Sequence, residues 1–245
     1  MEKPNYGGVG LHVFINLTLG VILLVVGLVG TMALYPLLLL LILPSPYFVF
    51  MGVRWMGGGV LEDRLRIRDE FMKLIRPEDG NRVLDVGTGG GFLAIGFAKA
   101  IRNSEIVGID VWMRLGGGTG LENAVRNTEI EGVAGKVRFE ECDARDISYP
   151  NDYFDIVVAS FAIYTIRRER EKVFLEMVRV LKPGGKFAIM EPWRSWELGW
   201  VVDERFKRKL EEIGLGDVKF QSILLTYPRK RYVCIVYGEK RPQQP

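Results

Sequence analysis

The chain has 245 residues, 48% of them hydrophobic, with 33 basic against 30 acidic side chains and a net charge of +3. That balance excludes a disordered chain, and only two cysteines, Cys142 and Cys234, exclude a disulfide scaffold. Residues 1–50 hold one acid, Glu2, and one base, Lys3, so the net charge belongs to the remainder, where it is too slight for a nucleic-acid binder.

From Leu11 to Leu43 no Asp, Glu, Lys or Arg occurs over 33 positions. A straight helix of that length runs about 50 Å, against a hydrocarbon core of roughly 30 Å. The length favours two transmembrane helices, roughly Leu11–Val29 and Met32–Phe50, over one steeply tilted span. Gly27, Gly30 and Thr31 then lie near the turn, and Pro36 in the first turn of the second helix, where proline is tolerated. A signal peptide fits poorly, because the apolar run is too long and Lys3 is the only base before it. Arg54, Arg64, Arg66 and Arg68 follow the run, which assigns a cell-membrane location, multi-pass or single-pass, with the catalytic part on the cytoplasmic side. His12 is the only histidine, so triad hydrolysis and His-ligated zinc are excluded beyond the apolar segment, and no metal site is expected.

Beyond Gly57–Gly59 a helical pattern runs from Leu61 to Ile75, with Leu65, Phe71, Met72 and Ile75 as core candidates, and Pro77 and Gly80 end it. Short apolar runs then alternate with longer periodic ones, the pattern of βαβ units and a parallel sheet. Strands are expected near Arg82–Val86, Ile106–Asp110, Val137–Glu141, Phe154–Ala159, Gly185–Glu191, Val218–Leu225 and Arg231–Gly238. Helices are expected near Gly90–Ile101, Gly120–Ile130, Arg168–Val180 and Asp203–Ile213. Only Thr226–Lys230 separates the last two strands, which predicts an antiparallel hairpin. The expected division is a membrane segment over 1–52, a linker and helix over 53–80, and an α/β domain over 81–245.

Val83–Phe92 reads VLDVGTGGGF, a buried strand entering a glycine-rich turn and then a helix. Glycines let the backbone approach a ligand, and the helix N-terminus offers N–H groups to an anion. Phe92 stands where a dinucleotide-binding loop wants its third small residue, so the G-x-G-x-x-G fingerprint fails. Asp85 places a carboxylate beside the turn, as suits a ligand carrying both an ammonium and a carboxylate. Asp110 ends the next strand, where it can accept two ribose hydroxyls. Asp143 follows the third strand, where it can accept from an adenine amino group while the Ala144 N–H donates to the ring. Three carboxylates at three successive strand tips describe an adenosyl amino acid.

On these motifs, with Tyr153–Ser160 and Leu181–Gly185, the chain resembles class I S-adenosylmethionine-dependent methyltransferases of the quinone and small-molecule group, over roughly residues 60–240. The resemblance implies a Rossmann-like, mostly parallel sheet of seven strands with the last reversed, helices on both faces, and S-adenosyl-L-methionine as cofactor. It implies that Asp85, Gly87, Thr88, Gly89 and Gly91 hold the methionine end. Asp110 with Val111 and Trp112 would hold the ribose side, Asp143 and Ala144 the adenine, and Ser160 the neighbouring strand tip. Arg114–Gly120 is a long glycine-rich stretch beside that site, a loop making room for Trp112 or a lid.

Methyl transfer from a sulfonium needs proximity, orientation and sometimes a base. Tyr164 is the candidate hydroxyl over the methyl and Glu191 the candidate base, with Trp193 and Trp196 lining an apolar pocket. The Asn/Asp-Pro-Pro-aromatic motif of exocyclic-amine methylation is absent, and no tyrosine has the lysine four residues on that a short-chain oxidoreductase requires. A membrane anchor favours a small lipophilic or lipid acceptor. Methylation of a protein at the membrane and a non-catalytic cofactor-binding module are the alternatives. Oligomeric state is not legible.

Overall fold

A computed structural model of the chain describes residues 2–6, 11–33, 40, 42–55, 61–112, 120–195, 198–225 and 231–242. The first two helices are α1, Leu11–Ala33, and α2, Ser45–Trp55. The break therefore falls well beyond the expected turn, because α1 runs straight through Gly27, Gly30 and Thr31. A glycine weakens a helix interior by only about 1 kcal/mol, and no proline occurs in this stretch. Pro44 and Pro46 flank the start of α2, where proline suits a first turn. The helices pack closely: a Cβ on Gly20 would lie 2.7 Å from Val49, and one on Gly52 2.5 Å from Leu17.

The two expected membrane spans are not shown. Side chains of α1 are described along residues 14–30, α2 has only 11 residues, and among the described residues no helix is long and apolar enough to cross a membrane. Pro36 lies outside the described residues.

Next in the chain come α3, Leu61–Ile75; β1, Arg82–Val86; α4, Phe92–Ala100; and β2, Glu105–Asp110. They are followed by α5, Leu121–Ile130; β3, Arg138–Glu141; β4, Phe154–Ser160; and a 3₁₀ turn, Ile163–Thr165. The chain continues with α6, Arg170–Val180; β5, Leu181–Pro192; the two-residue strands β6, Arg194–Ser195, and β7, Trp200–Val201; and α7, Glu204–Glu212. Last are β8, Leu215–Leu225, and β9, Arg231–Lys240.

Seven strands form one sheet in the order β3-β2-β1-β4-β5-β9-β8. The β3 to β5 ladders are parallel, whereas β9 is antiparallel to both β5 and β8, so the expected terminal hairpin and reversed strand are present. The central strands are covered on both faces, as their near-continuous apolar runs require. Ile67, Phe71 and Ile75 of α3 join Leu93, Ile95 and Phe97 of α4 on one face. Phe154, Phe174, Met177, Phe187 and Trp200 pack on the other. Among the α3 candidates, Leu65 and Met72 are only half-buried. The parallel strands all point their carboxyl ends to one edge, where a doubly wound sheet binds ligands.

Candidate functional site

At that edge β1 turns into α4 through Gly87–Gly91. The backbone has positive φ at Gly87 (69°), Gly89 (53°) and Gly91 (82°), which L side chains rarely adopt. The Gly87 and Thr88 N–H groups donate to Ile109 O at 2.8 and 3.0 Å, tying the turn to β2. A Cβ on Gly87 would sit 2.3 Å from the Ala162 Cβ, so the loop after β4 presses directly onto the turn. A Cβ on Gly89 would meet nothing within 4 Å, leaving an open face over the turn.

Two of the three expected carboxylates converge here. Asp85 is 1% exposed, and its Oδ2 accepts from Thr88 Oγ1 at 2.8 Å and from the Ala94 N–H at 3.0 Å. Thr88 thus spends its hydroxyl hydrogen as an inward brace on Asp85. Burial pushes the Asp85 carboxyl up to about 7, against the pull of its two hydrogen bonds, and nearby Asp110 adds to the rise. Asp110 ends β2 and accepts from the Gly89 N–H (Oδ2, 2.9 Å) and the Trp112 N–H (Oδ1, 2.8 Å). The Trp112 indole N–H donates back to Gly89 O at 3.0 Å, and Trp112 itself has φ 39°. Each Asp110 oxygen accepts one bond of the two it can take, so it retains capacity for a vicinal diol. Val111 is exposed beside it.

Asp143 is where the sequence placed it, one residue past Cys142, whose N–H donates to Asp110 O at 3.0 Å. Its carboxylate is taken by its own neighbour. Arg145 forks onto it with Nε at 2.9 and 3.1 Å and Nη2 at 2.6 Å, and the Arg145 N–H adds a bond at 2.9 Å. The guanidinium holds this carboxyl below the usual carboxylate range. Both oxygens of the carboxylate expected to meet an adenine amino group are thus engaged by an i, i+2 ion pair, while the side chain stays 41% exposed. Ala144 is half-buried against the core.

The substrate side is built by the loops after β4 and β5. Ser160 ends β4 opposite Met190, Phe161 takes φ 52°, and Tyr164 lies half-buried in the 3₁₀ turn. Glu191 is fully buried at 0% exposure, and its Oε1 accepts from the Ile163 N–H at 2.9 Å and the Ala162 N–H at 3.2 Å. Among the described residues its Oε2 is buried without a hydrogen-bond partner. Burial pushes this carboxyl up to about 8. The expected base is thus beneath the loop, holding the segment that carries Tyr164. Trp193 packs edge-on against Phe220 at 6.0 Å, and Trp196 lies outside the described residues. The residues 113–119 of the expected loop or lid lie outside them too.

Two site residues, Arg170 and Asn127, escaped the sequence reading. Arg170 donates to the carbonyls of Ile163, Tyr164, Leu198 and Gly199 at 3.0–3.3 Å, joining the loop after β4 to the segment between β6 and β7. Its guanidinium also lies 5.1 Å from the Trp200 ring centroid. Asn127 of α5, 1% exposed, donates to Gly90 O in the turn at 2.8 Å. Neither carries a local signal, since both act on carbonyls distant in sequence or in conformation. Among the described residues no cluster of acidic, cysteine or histidine side chains suits a metal ion.

The open face at Gly89, the spare acceptor capacity of Asp110 and the buried carboxyl of Asp85 fit a ligand with a diol and a cationic amine. Residues 83–185 match the methyltransferase domain family. The chain is 36% identical over 150 residues to the ubiquinone/menaquinone biosynthesis C-methyltransferase UbiE of Geobacter sulfurreducens, covering 60% of this chain and 54% of that protein. It is 34% identical over 116 residues to the UbiE of Azotobacter vinelandii, covering 46% and 42%. The chain thus spans about half the length of the curated relatives it matches. A SAM-dependent methyltransferase from Aquifex aeolicus superposes with a TM-score of 0.56 at 22% identity, over 71% of this chain and 89% of that one. The [4+2]-cyclase SpnF gives 0.60 at 20% identity, over 72% and 80%, so the fold alone does not fix the reaction. By sequence, residues 83–185 of this chain match a methyltransferase domain, and the fold that carries them is the one seen in the Aquifex aeolicus protein.

Proposed function

We propose that the chain transfers a methyl group from S-adenosyl-L-methionine to a small lipophilic acceptor of the quinone type, at a membrane. The observation that carries the cofactor half is the closed set of bonds Gly89–Asp110–Trp112, which holds a carboxylate at the tip of β2 beside an uncovered glycine turn. When bound, the cofactor supplies an electrophilic methyl on a sulfonium. Asp110 accepts from its ribose hydroxyls, and Asp85 faces its amine. The Gly87–Gly91 backbone allows the close approach that a side chain would forbid.

The acceptor side belongs to Ser160 and Tyr164. Glu191 and Arg170 position the loop between them, one through its N–H groups and the other through its carbonyls. Orientation of this kind is the main requirement of an in-line displacement. An acceptor of quinone type is supported by the names of the relatives and by the half-buried Trp193 beside the strand tips.

Membrane attachment is supported by α1, and the cytoplasmic side by Arg54, Arg64, Arg66 and Arg68 after the apolar run. Phe14, Ile22, Val25, Leu28 and Val29 are each at least half exposed or nearly so on a helix with no charged residue. So much apolar surface in one element marks an interaction face. Close glycine-mediated helix contact, as at Gly20 and Gly52, is a packing mode suited to lipid. Incubating the chain with methyl-labelled cofactor, a reduced isoprenoid naphthoquinone and total membrane extract tests the reading. Label in the quinol or lipid fraction is expected. Label confined to protein transfers the activity to a protein acceptor, and binding without any labelled product leaves a binding module; either result refutes the proposal.

A further inference from the structure

Residues 2–6 do not trail away from the domain; they lie across α5, α3 and the first turn of α4. Asn5 meets the buried Asn127 side chain twice, donating its N–H to Oδ1 at 2.8 Å and accepting from Nδ2 at 2.8 Å. The same Nδ2 donates to Gly90 O at 2.8 Å. One amide thus joins the strap to the cofactor turn, with both of its donor hydrogens and its acceptor in use. Asn123 adds a second donor to Asn5 O, and Arg126 pairs with Glu2 at 2.6 Å.

Tyr6 extends the contact. Its ring, 6% exposed, meets Phe92 edge-on with centroids 5.3 Å apart, and Phe92 is the residue directly after Gly91. Its hydroxyl donates to Glu131 at 2.7 Å, and Arg64 donates to its carbonyl at 3.1 Å. Arg64 and Arg68 place their guanidiniums 5.7 and 5.6 Å from the Phe92 ring centroid. Phe92 therefore starts α4 inside a cage formed largely by residues outside the matched segment 83–185.

We propose that the strap of residues 2–6 sets the conformation of the cofactor turn, with Asn127 and Phe92 as the positioning residues through which it acts. The turn needs such support on its outer side. Gly89 has no neighbour within 4 Å at the Cβ position, and three of its glycines hold positive φ. With the strap removed, Asn127 loses the partners that fix its amide orientation, and Gly90 O loses a fixed donor. The binding-competent turn is then only a fraction of the population, and the apparent affinity falls by that fraction. This inference rests on the cofactor reading above and concerns binding, not the acceptor.

The test is calorimetric titration of S-adenosylhomocysteine into the full chain, an Asn127→Ala variant, a chain lacking residues 2–6, and the combination. Hydrogen exchange at residues 88–92 is followed in parallel. Each single change is expected to weaken binding about 5- to 30-fold, the scale of one or two lost hydrogen bonds. The combination is expected to fall well short of the product of the two losses, because both share the Asn127 amide while only the strap deletion also frees Phe92. Exchange should quicken at the turn and stay unchanged in β1 and β4. Loss of the strap with affinity held within about twofold overturns the proposal, as do losses that multiply in the combination. If Asn127→Ala does not fold, the strap deletion with its exchange pattern decides alone. Failure of the unaltered chain to bind sinks the cofactor reading, and this inference with it.

Discussion

Replacing Asp85 by Asn should separate stability from binding. The carboxyl is buried at 1% exposure and pushed from 3.8 up to about 7. An acid with a raised folded-state value keeps its proton in the folded chain after the unfolded chain has lost it. Its contribution to stability is therefore full below about pH 4 and is lost as pH rises through about 7. That rise corresponds to a cost on the order of 4 kcal/mol above pH 7. An asparagine carries no charge and keeps an acceptor for Ala94, but weakens the two charge-assisted bonds by roughly 1 kcal/mol each. The net expectation is that Asp85→Asn is more stable than the natural chain by about 1–3 kcal/mol at pH 8.5, or several degrees in melting temperature, and nearly equal to it at pH 4.5. Scanning calorimetry without ligand across that pH range measures this directly. The same variant should bind S-adenosylhomocysteine at least about tenfold more weakly, having lost its charged partner for the amine. A variant less stable than the natural chain by the same margin at every pH would refute the burial argument.

Further expectations follow from neighbouring groups. Glu191→Gln removes a carboxyl whose value is raised to about 8, so the natural chain should lose stability relative to it as pH rises from about 4.5 to 8, and kcat should lose any inflection near the upper limit. Gly87→Ala adds a left-handed strain and a 2.3 Å clash with Ala162, which should cost about 2–4 kcal/mol by chemical denaturation. The same change at Gly89, with open space around it, should cost only about 1–2 kcal/mol. Asp143→Ala should change S-adenosylhomocysteine affinity by less than about fivefold, because Arg145 already forks onto its carboxylate; a loss of two orders of magnitude by calorimetry would show that the carboxylate meets the adenine instead.

Much of the sheet was legible because its central strands are short apolar runs bounded by turn residues. β1 has the bounds that VLDV and its flanks imply, and the antiparallel end of the sheet follows from there being only five residues between β8 and β9. The glycine turn and Asp110 were legible for a related reason: the residues that make the turn also make the site. Other features depend on contacts that no local pattern records. Asn5 and Asn127 are 122 positions apart, and the burial of Glu191 arises only when the loop at Ala162 folds over it. The helix break failed differently, since the glycines at 27 and 30 were read as a turn although an isolated glycine seldom ends an apolar helix. The Arg145 fork onto Asp143 was not legible either, because no local pattern says that a guanidinium turns back onto a carboxylate two residues away.

Titrating S-adenosylhomocysteine into the natural chain and into Asp110→Ala, side by side in a calorimeter, is the most direct test of a ligand held at the tips of β1 and β2. Saturable one-to-one binding by the natural chain is expected, with affinity at least about 100-fold lower in the variant for the loss of two charge-assisted bonds to ribose. Equal affinity in both would contradict it.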